Sequence, residues 1–183
     1  MNKPPAPNAD AEQTLQRWRA RESELAARSA PVGLARPDQV AGKSGQQLFE
    51  AMLAGEQPRA PISTTLQFWL VEASFGHAEF QGAPAFEHYN PLGGVHGGWT
   101  ATLLDSCVGC AVHTQLPPGK AYTTLELKVN FVKGLTDRVP LVRAIGDVIH
   151  SGSRVATAEG KLVGPDGTLY AHATTTCLIF DAR

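Results

Sequence analysis

Polar and apolar positions alternate with the period of a strand over residues 124–131: Leu125, Leu127, Val129 and Phe131 fall on one side, Thr124, Glu126, Lys128 and Asn130 on the other. Further strands are predicted near residues 139–149 and 154–163. After them comes Gly164-Pro165-Asp166-Gly167, a turn in which proline presets one dihedral and glycine supplies a positive one, and then a last strand over 168–180. Upstream, the alternation of Leu66, Phe68 and Leu70 and the stretch over 71–80 read as a strand pair ended by Gly82 and Pro84. Between these two β regions the pattern changes. From Gly97 to Thr114 small and apolar residues run for about five helical turns, interrupted by one carboxylate, Asp105, and stopped by Pro117-Pro118-Gly119. A helix that is apolar nearly all round must be covered nearly all round. The expected architecture is therefore α+β, an antiparallel sheet wrapped around a long central helix.

The first sixty residues follow other patterns. Residues 1–10 are rich in Pro, Ala and Asn without periodicity and are expected to be disordered. Residues 11–29 carry a thin apolar stripe, Leu15, Trp18 and Leu25, among many charges, which predicts a helix packed on the core or on a neighbouring subunit. Ser44 and Gln47 form a capping box ahead of residues 48–54, with Gly55 as the stop. The chain thus divides into an N-terminal helical extension, residues 1–60, partly disordered and partly helical, and a domain over 61–183.

Composition narrows the function. Sixteen Lys plus Arg against seventeen Asp plus Glu give a formal charge of −1, without the basic footprint of a nucleic-acid binder. Gly42-Lys43-Ser44 is not a phosphate loop, because the glycine required five residues earlier is Pro37. The start of the chain lacks the apolar run of a signal peptide and no stretch approaches membrane-spanning length, so a cytoplasmic protein that binds no nucleic acid and no membrane is expected. Cys107, Cys110 and Cys177 have no histidine pair at ligand spacing and read as core thiols, with no metal site.

An acid on an apolar helix is costly to bury unless it is paired or used, which singles out Asp105. Asn90 precedes His96-Gly97-Gly98 by six residues, Asp105 follows the histidine by nine, and Thr123-Thr124-Leu-Glu-Leu-Lys-Val-Asn-Phe131 comes after. This constellation resembles the PaaI-type thioesterases of the hotdog-fold superfamily, over roughly residues 62–180. The resemblance implies an acyl-CoA thioesterase that hydrolyses an acyl- or aryl-CoA thioester to carboxylate and free CoA without a cofactor. Asp105 would be general base or nucleophile, Asn90 would bond the thioester or the attacking water, His96 would shape the loop, and Thr124 would orient water, with Thr123 the alternative. If the helix starts at Gly97, its free N–H groups favour a developing oxyanion. Asp105 lies eight residues on, about 12 Å away, so the two act on one carbon only across two antiparallel helices. A homodimer becomes part of the mechanism, and family analogy extends it to a homotetramer.

Substrate-binding candidates are Gly98, Trp99 and Leu103 around the acyl group, with Phe86 and Tyr89 as further candidates, and Lys133 and Arg154 for the phosphates of coenzyme A, Arg154 for its place after Gly152-Ser153. Two competing readings stand beside this one. Four glycines can be a tight turn and Asp105 a helix-pairing acid. Alternatively, the fold serves as a non-catalytic acyl-CoA-binding sensor or scaffold. A hydratase of the same fold would show a different Asp and His arrangement, which is absent from the sequence.

Overall fold

The computed structural model describes residues 9–182. Its centre is helix α5 (Gly97–Thr114), which begins where His96 leaves the helical conformation and turns its ring back onto the Gly98 N–H. Leu103, Leu104, Cys107, Val108, Ala111 and Val112 on this helix are fully buried. Around it curl six antiparallel strands: β1 (Phe68–Ser74), β2 (His77–Gly82), β3 (Lys120–Phe131), β4 (Val142–Ser151), β5 (Val155–Val163) and β6 (Leu169–Asp181). Their order is β1-β2-β4-β5-β6-β3, so β1 and β3 are the two edges. Sheet and helix meet closely at Gly146, where a methyl group would come within 2.5 Å of the Cys107 backbone.

The strand predicted over 124–131 is present, but its alternation is broken. The β3–β6 ladder slips between Thr124 and Glu126, leaving Leu125 as an extra residue, 59% exposed. Thr124 therefore shares the inward side with Leu127, Val129 and Phe131, and Leu125 leaves it. The continuous period-two reading had them reversed, because a bulge has no signature in polarity alone.

Ahead of the sheet, α1 (Ala9–Arg28) buries Trp18 and Leu25, so the predicted stripe packs on the chain's own sheet. The helix starts earlier than expected, at Ala9; residues 1–8, also expected to be disordered, lie outside the described residues. A polar latch holds α1 down. Arg21 donates to the Val71 carbonyl, and the buried Gln81 amide donates to the Trp18 carbonyl at 3.2 Å and to Glu22 at 2.6 Å. Gln81 in turn accepts from Arg143, which pairs with Glu79 and lies over the Trp18 ring. The predicted capping box opens α3 (Gly45–Leu53), and Gly55 follows with positive φ. Two short helices were missed, α2 (Pro37–Val40) and α4 (Pro61–Thr65), although each opens on the proline that favours a first helical position. Leu66 closes α4 and does not begin a strand. Among the described residues no helix is long and apolar enough to cross a membrane.

Candidate active site

The chain reaches α5 through a loop that is held at every step. A single tight turn, Phe86–His88, buries His88 with its ring stacked on Trp99 at 4.9 Å and its Nδ1 accepting from the Ala85 N–H. Burial lowers the pKa of His88 against the pull of Glu87. Its carbonyl accepts the His96 N–H at 2.7 Å, Val95 donates to the Leu135 carbonyl, and the Tyr89 hydroxyl donates to Asp137. Phe86 is exposed, so within one chain neither it nor Tyr89, held by that bond, lines an enclosed acyl pocket.

Asn90 spends its side-chain oxygen on the Leu92 N–H at 2.8 Å and the Gly94 N–H at 3.4 Å. Its NH2 group remains as the part able to meet a substrate. His96 Nδ1 accepts from the Gly98 N–H at 2.8 Å, which puts the ring proton on Nε2 when the imidazole is neutral. The N–H of Gly98, a substrate-binding candidate, is thereby occupied and is not free to meet a ligand. Among the described residues the Gly97 N–H has no hydrogen-bond partner, and it stands first at the positive end of α5.

Asp105 sits on the half-buried face of α5, and Thr124 Oγ1 donates to its Oδ1 at 3.1 Å. The bulge at Leu125 makes this bond, because without it Thr124 would face away from the helix. Thr123 is exposed on the other side of the strand. Eight residues separate Asp105 from Gly97, about 12 Å of helix rise. One chain therefore holds two half-sites, an acid with its hydroxyl partner and an anion-favouring helix end.

Beside the helix end lies a cavity of about 320 Å³, lined by Val95, Gly97, Phe131, Lys133, Leu135 and Tyr170 among others. The Phe131 ring rests on Gly97, where a methyl group would meet it at 2.9 Å. Lys133 reaches over the Tyr170 ring with its ammonium 5.8 Å from the centroid, so this predicted cation does adjoin the Gly97 end. Arg154 does not. The strand register places it level with Ile179 on β6 while Lys133 is level with Tyr170, nine residues or about 30 Å away. Trp99 and Leu103 are core residues and do not line the cavity. Leu103 is fully buried, and Trp99 donates its indole N–H to the Leu66 carbonyl under the close contact with Gly82. Their apolar character marks burial, which periodicity cannot distinguish from an acyl pocket. Sequence reading missed Tyr122, which covers α5 one turn beyond Asp105; the available signal was Gly109, a missing side chain at that spot. The three cysteines are free, with Cys107 and Cys177 buried, and burial pushes the Cys110 thiol up to about 12.

Residues 92–171, which include α5 and the strands from β3 through β5, match the thioesterase superfamily. A solved structure from Ralstonia eutropha JMP134, a candidate thioesterase related to phenylacetic acid degradation, is 30% identical, covering 71% of this chain and 98% of its own, with a TM-score of 0.65. The chain belongs to the thioesterase superfamily. Its sheet wrapped on one helix is the hotdog fold, as the sequence resemblance implied. A candidate esterase of Halobacterium salinarum is 38% identical over 84 residues, 45% of this chain; the match spans about half, 54%, of that curated relative. A thioesterase of Haemophilus influenzae shares the fold at 15% identity, with a TM-score of 0.63 over 78% of this chain and 95% of its own.

Proposed function

We propose that this superfamily member is an acyl-CoA thioesterase that works as a homodimer. The observation that carries the reading is the Thr124–Asp105 hydrogen bond on a helix with no other carboxylate, Lys or Arg. The Thr124 hydroxyl donates to the carboxylate and keeps its own lone pairs for a water. Asp105 takes a proton from that water as it attacks the thioester carbonyl, or attacks the carbonyl itself to form a mixed anhydride that the water then hydrolyses; in either case the thiolate of coenzyme A leaves. The Gly97 N–H of a second copy receives the developing oxyanion, since the chain's own Gly97 is too far along the helix. The free edge of β3 supports pairing with that copy in antiparallel sense, which brings the second copy's Lys133 toward the site as a phosphate partner. The Asn90 NH2 group bonds the thioester or the water.

The test is thiol release from a panel of acyl-CoAs of different length. Asp105→Asn, folded and dimeric, should lose about a thousandfold in kcat; near wild-type turnover would remove Asp105 from the mechanism. Mixing Asp105→Asn subunits with subunits blocked by a side chain at Gly97 should restore one working site per verified heterodimer, and no rescue would sink the shared site. Label entering the Asp105 carboxylate in a single turnover in heavy-oxygen water would assign it the nucleophilic role, since a general base never acquires it. Acyl-CoA binding by the wild type without turnover of any member would favour the sensor reading.

A further inference from the structure

The face of α5 that carries Asp105 is made of small residues, with Ala101 one turn before it and Gly109 one turn after. The space above Gly109 is filled from β3. A methyl group on Gly109 would come within 2.7 Å of the Tyr122 hydroxyl and 2.9 Å of its ring. His113, a further turn along the helix, backs the Tyr122 ring at 5.4 Å, and Phe49 stands edge-on to His113 at 5.3 Å. The ring is thus braced from behind by α5 and α3. Burial raises the pKa of the phenol well above its ordinary value, and Cys110, Cys177 and Asp105 add to the rise, so the hydroxyl stays neutral in the same enclosure as the carboxylate.

We propose that Tyr122 is the end stop of the acyl groove and sets the longest acyl group the protein accepts. The inference rests on Asp105 acting at the thioester carbonyl, as argued above. Coenzyme A is large and polyanionic and has to extend into solvent, so the acyl group takes the opposite direction, where the neighbours are Gly109, Cys110 and the fully buried Cys177. From Asp105 to Gly109 the helix rises about 6 Å, room for a few carbon atoms before the phenol. Longer chains meet a braced aromatic ring. Tyr122 touches the substrate and does no chemistry; it decides which substrates fit.

The experiment compares kcat/KM along straight-chain acyl-CoAs from acetyl to dodecanoyl, below their micelle concentrations, for wild type, Tyr122→Ala, Tyr122→Leu and Tyr122→Phe. Up to the stop each added methylene should raise kcat/KM by about fourfold, and beyond it the values should fall. Tyr122→Ala and the better-packed Tyr122→Leu should move the break to longer chains, with a gain of about tenfold or more for the first substrate the wild type rejects, a difference of ~1.4 kcal/mol. Tyr122→Phe, which keeps the ring, should keep the wild-type order. A folded Ala or Leu variant with an unchanged break overturns the proposal. Wild type that releases thiol from no member overturns the hydrolase reading alone. The stop is then read from binding of the matching S-alkyl-CoA thioethers, where a shifted break supports it and an unshifted one overturns it.

Discussion

The two edges of the sheet are treated in opposite ways. At one end β1 is seven residues long, α1 lies against it with Arg21 donating to the Val71 carbonyl, and Gln81, Glu22, Arg143 and Glu79 bind the helix and sheet into one polar network. At the other end β3 runs for twelve residues with no strand beyond it among the described residues, and Leu125 stands exposed in its middle. An unpaired strand edge is a template for association, and proteins usually blunt it. This chain protects the edge that has no proposed role and leaves open the one that carries Thr124.

The difference can be attacked from both sides. The largest effect is expected at the covered edge. Trp18→Ala should cost about 3 kcal/mol of stability in denaturant unfolding, while activity per folded molecule holds; a loss of activity at full folding would tie α1 to the site. At the open edge, Thr124→Val keeps the shape and removes the hydroxyl, and should lower kcat about a hundredfold by misplacing the water without changing the unfolding midpoint. An unchanged kcat would detach the hydroxyl from the chemistry. Leu125→Asp adds charge where two edges would meet and should weaken dimerisation about tenfold, ~1.4 kcal/mol, as read by sedimentation. A dimer of unchanged affinity would place the contact elsewhere.

The smallest effect is in pH. Burial opposes the charge on His77, but its hydrogen bond to Asp147 at 2.7 Å and the charges of Asp147, Glu79 and Glu72 outweigh that and raise its pKa. Its contribution to stability is present in full below pH ~6.5 and is lost as pH rises through the raised value. His113, lowered by burial, works in the opposite sense, since the unfolded chain takes up its proton first and stability falls on acidification below the same pH. His77→Ala should therefore flatten the alkaline side of a melting-temperature profile and His113→Phe the acidic side; profiles that match wild type would mean these rings are not what titrates.

Much of this was legible in the chain. The glycine start and proline stop framed α5, and the Gly164–Gly167 turn appears with a positive φ at Gly167 and Asp166 accepting from the Thr168 N–H. Local signals of that kind survive folding because their cause is local. Asp105 was singled out as the one carboxylate on an apolar helix and Thr124 by the family resemblance, yet the alternation put Thr124 on the wrong side, since a bulge is decided by pairing with β6. Trp99 and Leu103 were assigned to substrate and belong to the core, and the cavity formed by Phe131, Leu135 and Tyr170 was not anticipated, because it joins segments forty residues apart. Tyr122 escaped for the same reason: what it touches is the absence of a side chain on another element.

Leu125 has one more consequence. An extra residue in a ladder of period two is a half-period phase shift, and it divides β3 into two pieces that face the helix out of step with each other. Pairing Leu125 into a regular ladder would leave every proposed active-site residue in the sequence, yet Thr124 and Tyr122 would both turn from the helix to the outer surface, whereas deleting Leu125 would straighten the strand and keep both on the helix side. The pairing of the acid with its partner is thus kept by strand parity, which the bulge holds and which a change of register at Leu125 would undo as surely as a substitution within the site.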